Sequence, residues 1–180
     1  MRLALNVAGH GKAASEFKRG VEFVNEGDYT RAEKSFRLAA GNGVRAATFN
    51  LGVIYYRKGT HQDYEKALKW FRRAARQGLH EAETRIGFMY ERGNGVEKNV
   101  AEAISRYTKA AYRGDSFGQY LLGMRYLKGK GVTKNYSSAE EWLRKAAKQG
   151  DADAQKELLL LDNVGAENDN AVVSAFRALQ

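Results

Sequence analysis

Few residues in this 180-residue chain have the means to do chemistry, and they stand far apart. Histidine titrates near neutral pH and is the commonest metal ligand, and there are three: His10, His61 and His80. His10 falls in an amino-terminal tail, His61 in a turn and His80 at a helix start. No shared base or metal site is expected from them, and each is read as a surface histidine. Asp151 and Asp153 have the spacing of a helix N-cap and its first turn, where negative charge favours the helix end, and no acid, base or metal cluster partners them. Gly93-Asn94-Gly95-Val96 and Gly129-Lys130-Gly131-Val132 contain Gly-x-Gly, the start of a phosphate-binding loop. They follow helices, however, and lack the strand and the further glycines such a loop needs, so they are read as turns. Zero cysteines exclude disulfides, thiolate metal sites and cysteine nucleophiles together. The chain is accordingly expected to be no enzyme and to use no cofactor and no metal.

The elements that would position any site recur with a fixed period. Ala74-Ala75-x-x-Gly78, Ala110-Ala111-x-x-Gly114 and Ala146-Ala147-x-x-Gly150 repeat every 36 residues, with Ala39-Ala40-x-x-Gly43 one residue out of step before them. After these come Leu51-Gly52-x-x-Tyr55, Ile86-Gly87-x-x-Tyr90 and Leu122-Gly123-x-x-Tyr126. Periods of this length belong to stacked helix pairs, in which no pair buries its apolar face alone. In the second (B) helix of each pair, Ala67, Phe71 and Ala74 mark one helical stripe, repeated as Ala103, Tyr107, Ala110 and as Ala139, Leu143, Ala146, and given earlier by Ala32, Phe36, Ala39. Small alanines permit close approach and one large side chain fills the gap. The first (A) helices carry Ala47, Leu51, Tyr55, then Ala82, Ile86, Tyr90, then Gly118, Leu122, Tyr126. Gly52, Gly87 and Gly123 lie inside A helices at a cost of about 1 kcal/mol each relative to alanine, which predicts close approach of another helix there. Asn99 and Asn135 are expected N-caps of B helices, and Asp63 the cap after a shortened Gly59-Thr60-His61 turn.

The net charge of +9 favours an acidic partner at long range. The basic residues are spread through the repeats and interleaved with acids: Lys66, Lys69, Arg72, Arg73 and Arg76 lie beside Glu65, and Lys145 and Lys148 follow Glu140 and Glu141. That pattern resembles solvated helix faces more than a phosphate track. No run approaches the roughly 20 apolar residues of a spanning helix, so no transmembrane segment is expected and the protein is expected to be soluble. Leu3 to Ala8 is too short an apolar patch for a secretory signal, which points a full-length chain to the cytoplasm; removal of a leader would point it to the periplasm.

The two ends depart from the period. From Gly20 to Ala32 there are 12 residues, against 16 from Gly87 to Ala103, so Gly27-Asp28-Tyr29 makes a tight turn. At the other end Ala154 and Leu158 continue the pattern, but Leu159 stands where a glycine stood before. Asn163 to Asn170 then breaks the helix, and Val172, Val173, Phe176 and Leu179 form an apolar stripe that either caps the last unit or meets a partner. A monomer is favoured, with self-association through residues 171–179 as the other use of that stripe.

The succession Gly114, Leu122-Gly123, Tyr126, Gly129-Lys130-Gly131-Val132, Asn135, Ala139, Trp142, Ala146-Ala147 resembles a Sel1-like repeat, and the resemblance extends over residues 44 to 160. Trp70 also holds the tryptophan place, whereas Arg106 occupies it in the middle copy. Residues 13–41 are similar instead to a tetratricopeptide (TPR) repeat. The resemblance implies an all-α fold, a right-handed α/α superhelix (solenoid) of Sel1-like and TPR-like helix pairs. It divides a single repeat domain, 1–180, into a TPR-like unit 13–41, repeats 44–78, 79–114 and 115–150, and capping helices over 151–180. It also implies an adaptor role, Sel1-like proteins often serving bacterial envelope assembly, secretion, signalling or toxin immunity.

Carried over by position, the resemblance places Phe17, Val21 and Val24, then Phe49, Val53, Tyr56 and Arg57, then Thr84, Phe88, Glu91 and Arg92, then Phe117, Tyr120, Met124, Leu127 and Lys128 on a concave, partner-facing surface. In the sequence itself most of these are large apolar residues on a second helical face, beyond what the packing stripe requires, with a more polar stretch near Thr84 and Glu91. Edged by Arg57, Arg92 and Lys128, such a groove suits a protein partner's acidic amphipathic helix or peptide. A carboxylate clamp of the TPR kind is not expected: Phe17, Val21 and Glu81 hold three of its places, and only Asn50 and Arg85 are compatible. Nucleic-acid or anionic-polymer binding, with Tyr and Phe stacking bases, is the alternative from a different class, and a self-assembling structural protein is a third.

Overall fold

The computed structural model describes the backbone of residues 2–161 and the side chains of residues 11–161. Among the described residues every regular element is a helix: α1 (Arg2–Asn25), α2 (Tyr29–Gly41), α3 (Arg45–Lys58), α4 (His61–Arg76), α5 (His80–Arg92), α6 (Val100–Tyr112), α7 (Ser116–Lys128), α8 (Tyr136–Lys148) and α9 (152–161). The fold is an all-α helix-pair repeat, with α1, α3, α5 and α7 in the A role and α2, α4, α6 and α8 in the B role. The chain forms two compact units, residues 1–106 and 107–180. The residues 163–170 and the stripe Val172, Val173, Phe176 and Leu179 lie outside the described residues.

Helix ends are written in the sequence. The recurrent Ala-Ala-x-x-Gly is a stop signal for B helices: the residue after each glycine returns its N–H to the first alanine's carbonyl, Val44 to Ala39 at 3.1 Å, Leu79 to Ala74 at 3.1 Å and Asp151 to Ala146 at 3.2 Å. The reversal needs a left-handed residue, and Gly43, Gly78 and Gly150 have φ of 86°, 88° and 89°. Asn99, Asn135 and Asp151 cap the helices after them, accepting from the N–H groups of Glu102, Ser138 and Ala154 at 2.9 Å each. One cap differs from expectation. Thr60, not Asp63, caps α4: its hydroxyl accepts from Asp63 N–H at 3.2 Å and donates to the Asp63 carboxylate at 2.6 Å. His61 is therefore the first residue of α4 and not part of a turn.

In three of the pairs a B-helix side chain sits on an A-helix glycine. A Cβ placed on Gly20 would fall 2.5 Å from Phe36, on Gly52 2.6 Å from Phe71, and on Gly123 2.9 Å from Leu143. Phe36, Phe71 and Leu143 are buried, flanked by the alanines of their stripe. The interior glycines are thus sockets for the large residue of the partner helix, which explains both departures from ordinary helix composition at once.

In residues 1–106 successive pairs are joined by the tyrosine of the Leu/Ile-Gly-x-x-Tyr motif. Arg37 on α2 donates to the Tyr55 hydroxyl at 2.7 Å, and Arg72 on α4 donates to that of Tyr90 at 2.9 Å. At Tyr55 the link becomes a cluster, because Glu33 accepts from the Tyr55 hydroxyl, from Lys58 at 3.0 Å and from Arg37 at 3.1 Å. Burial pushes the Glu33 carboxyl upward, but the hydrogen bonds from Tyr55, Lys58 and Arg37 outweigh it and hold the pKa below its ordinary value. Charge is also less evenly spread than the interleaving suggests. Between Tyr29 and Arg76 there are eleven basic and three acidic residues, a surplus of eight against +9 for the whole chain.

Two outcomes follow for stability. Gly52→Ala sets overpacking of about 1–3 kcal/mol against the roughly 1 kcal/mol that alanine gains as a helix former. Urea denaturation should show a net loss, and Gly52→Ala combined with Phe71→Leu should cost less than the sum of the two single changes. Gly11→Ala on α1, where a Cβ meets nothing within 4 Å, should shift stability the other way. Because the folded pKa of Glu33 is depressed, its contribution is present above the unfolded glutamate value of about 4.3 and is lost as pH falls through the folded value. Thermal melts between neutrality and that acid window should show a steeper decline for the parent than for Glu33→Gln.

Candidate functional site

The surface expected to meet a partner lies on the A helices, and each compact unit presents its own part. In residues 1–106, two apolar pockets adjoin across α3. The first, about 130 Å³, is lined by Val21 and Val24 of α1, Tyr29 and Phe36 of α2, and Asn50, Val53, Ile54 and Arg57 of α3. The second, about 170 Å³, is lined by Val53, Tyr56 and Arg57 of α3, Phe71 of α4, and Arg85 and Phe88 of α5. Val53 and Arg57, one turn apart, belong to both. Neither lining contains a carboxylate.

Six of the expected partner-facing residues are therefore brought together: Val21, Val24, Val53, Tyr56, Arg57 and Phe88. Tyr56 is held between the rings of Tyr64 at 5.2 Å and Phe88 at 6.4 Å, and its hydroxyl accepts from Asn94 Nδ2 at 3.0 Å. That bond, with a Gly95 position whose Cβ would lie 2.5 Å from the Glu65 backbone nitrogen, gives the first Gly-x-Gly turn a packing role beneath the site. The guanidinium of Arg57 lies 5.0 Å from the Tyr29 ring centre and that of Arg92 4.8 Å from Phe88, so both cations rest on aromatic faces at the rim. Phe17 and Phe49 are half-buried, their rings 5.8 Å from Phe36 and 5.4 Å from Phe71, and support the pockets from beside the core. Glu91 is half-buried on α5. Thr84 requires a correction: at 1% exposure it is part of the interior and has no surface to offer a partner.

Tyr29 and Ile54 line the pockets but were not among the expected residues, and Asn50 and Arg85, named only as compatible with a carboxylate clamp, line them too. The signal for two of them was present, since Asn50 and Arg85 each precede a lining residue, Val53 and Phe88, by three positions on the same helix face.

In residues 107–180 the corresponding face is partly used up. Tyr120 and Met124 pack, with Leu158 and Leu161 of α9, against Leu143, Ala146 and Ala154. Phe117 stacks on Tyr120 with ring centres 6.2 Å apart, Leu127 is half-buried and Lys128 exposed. The Tyr120 hydroxyl pKa is raised, first by burial and then by the charges of Asp153, Glu157 and Asp151. Three carboxylates thus lie close enough to act on Tyr120, whereas the linings around Arg57 contain none.

No catalytic grouping emerges among the described residues. No three His, Cys, Asp or Glu residues are placed to hold a metal ion, and no helix is long and apolar enough to cross a membrane. His61 is exposed on α4, whereas His80 at the start of α5 is half-buried, with its Nδ1 covered, and so is less superficial than expected.

Residues 45–79, 80–115 and 116–151 match the Sel1 repeat family. The chain belongs to this family. Among solved structures it is similar to a Sel1 repeat protein from Oxalobacter formigenes, with 32% identity and a TM-score of 0.76 over 84% of this chain and 62% of that one. It is also similar to c5321, a protective antigen present in uropathogenic Escherichia coli, with 27% identity and a TM-score of 0.67 over 91% of this chain and 34% of the other. The chain therefore spans less than two thirds of the length of both. A third relative is the cysteine rich protein B of Helicobacter pylori, with 26% identity and a TM-score of 0.56 over 70% of this chain and 96% of that one. This chain reaches the same fold with no cysteine. No curated protein matches the sequence significantly. Sel1 repeats are non-catalytic units that act in general as scaffolds for protein–protein interaction.

One position of the Sel1 A helix is buried and polar in all three repeats, as Thr48, Glu83 and Gln119. Each solves the problem differently. Thr48 donates to the Val44 carbonyl at 3.4 Å; Gln119 donates to the Ala111 carbonyl at 3.1 Å and accepts from Gln149 at 2.8 Å. Glu83, its side chain 3% exposed, receives Arg106 Nη1 at 2.8 Å, and Arg106 Nε also reaches Glu102 at 2.7 Å. Burial opposes the Arg106 charge, but the bonds to Glu83 and Glu102 prevail and raise its pKa. Arg106 thus stands at the tryptophan place because its neighbour across the pair is a buried acid. Arg106→Leu should cost about 3 kcal/mol, the low end for orphaning a buried charge because Arg106 is only two-thirds covered. Adding Glu83→Leu should recover most of it, as read by urea midpoints.

Proposed function

We propose that the A-helix face of residues 1–106 receives a short acidic, amphipathic segment of a partner protein, so that the chain acts as an adaptor. The observation that carries this is the sharing of Val53 and Arg57 by two adjoining apolar pockets. Apolar side chains of the ligand occupy the pockets, losing water-exposed surface at about 25 cal/mol per Å². A carboxylate between them meets Arg57, which rests on Tyr29 and makes no ion pair among the described residues. Arg85 lines the second pocket from α5. An apolar floor of this kind suits a side chain better than a phosphate backbone, which favours protein over nucleic acid at this site. We place such an adaptor among the envelope, secretion, signalling or toxin-immunity assemblies in which Sel1-like repeats recur.

A random peptide library displayed against the chain provides the test. Selected peptides should carry a carboxylate beside apolar residues, Arg57→Glu should remove the acidic preference, and Val53→Trp, which fills both pockets, should abolish selection while the helical spectrum is kept. Enrichment of the same peptides by both variants would remove the pockets from the proposal.

A further inference from the structure

The side of residues 1–106 formed by α2 and α4 is a separate surface, and it carries most of the surplus charge. On α4 the exposed residues Lys66, Lys69, Arg73 and Arg76 follow at i, i+3, i+7 and i+10. They form one stripe along the helix, about 15 Å long at a rise of 1.5 Å per residue. Lys66 lies 3.8 Å from Asp63, and among the described residues Lys69, Arg73 and Arg76 form no ion pair. In α8 the stripe at the same register is Ser138, Glu141, Lys145 and Lys148: Lys145 lies 2.6 Å from Glu141, which leaves Lys148 as the one cation of that stripe with no ion pair among the described residues. The α4 stripe is not a general property of these B helices.

An aromatic ring fixes part of this charge in place. Trp70 is half-buried on α4, with the Arg73 guanidinium 5.5 Å and the Arg37 guanidinium of α2 5.6 Å from its ring. Cations resting on one indole lose less side-chain freedom when they meet a partner than cations free in solvent.

We propose that this ridge docks an acidic α-helix of a second protein, with carboxylates at the same three-four-three spacing. Two helices lying side by side share one rise per residue, so carboxylates at i, i+3, i+7 and i+10 stay in register with all four cations. A duplex is the competing polyanion, but its phosphates are evenly spaced, one charge per ~1.7 Å of axis, and do not follow the three-four-three spacing of the cations. The ridge is independent of the Arg57 pockets, and a chain using both holds two partners together.

The probe is a synthetic helical peptide with glutamates in that spacing on one face, compared with a composition-matched scramble, a DNA duplex and vesicles rich in anionic lipid. Trp70 and Trp142 are the only two tryptophans, so a Trp142→Phe background makes Trp70 the reporter on the ridge itself. The striped peptide should bind about tenfold or more tightly than its scramble and shift Trp70 emission. Lys69→Glu, Arg73→Glu and Arg76→Glu together should weaken it by a further factor of about ten or more, with the milder glutamine triple as a control for folding. Equal binding of the scramble, tighter binding of duplex or vesicle, or binding unchanged by both triples would overturn the proposal.

Discussion

Everything else in this chain depends on a large side chain seated on a glycine of the facing helix. Phe36 on Gly20, Phe71 on Gly52 and Leu143 on Gly123 set how closely A and B helices approach, because at each place the socket holds the knob and nothing more. Glycine weakens a lone helix, so these A helices depend on their partners to form. The interlock also orients each A helix about its axis. With one edge committed to the B helix, the edge bearing Val53, Arg57 and Phe88 is left to line the pockets. A groove built this way inherits its rigidity from the core beneath it, which lowers the entropy lost on binding.

Charge is distributed differently from apolar surface. Apolar stripes recur in every pair because every pair must pack, whereas ionic residues meet no such common demand and diverge. One A-helix position holds threonine, glutamate and glutamine in successive repeats. One B-helix ridge carries four cations in α4, of which only Lys66 has an acidic neighbour, and two in α8, of which Lys145 is paired with Glu141. The acidic neighbours of Tyr120 and the carboxylate-free linings around Arg57 extend the same contrast to the A face. Repetition thus supplies the frame, and individuality lies in polar substitutions that the frame tolerates.

Most of the architecture was legible in the sequence. The 36-residue period, the alanine stripes and the interior glycines each have a local physical cause, so pattern alone reveals them. Caps were legible where asparagine or aspartate left no rival, as at Asn99, Asn135 and Asp151. At α4 two candidates stood three residues apart, and only the reciprocal bonds of Thr60 and Asp63 decide which begins the helix. The candidate site was legible only in part. Helical spacing indicates which residues share a face but not how deep that face lies, so Thr84 looked available although it is buried, and Asn50 and Arg85, read only as compatible with a carboxylate clamp, line pockets. The reason for Arg106 was not legible, because its partner lies 23 positions away and glutamate at 83 carries no local mark of burial.

The buried polar position bears on inheritance as well as on stability. Glu83 and Arg106 both fall within repeat 80–115, and Gln119 and Gln149 both within 116–151. The one bond Gln119 makes outside its own repeat goes to a backbone carbonyl, which any residue can supply. Glu83 and the arginine it holds, and Gln119 and the glutamine it holds, therefore each travel within one repeat. Duplication or loss of the whole of 80–115 keeps Glu83 with Arg106, whereas recombination between α5 and α6 separates glutamate from arginine. Lineages would then be free to change the number of repeats while conserving the breakpoints between them.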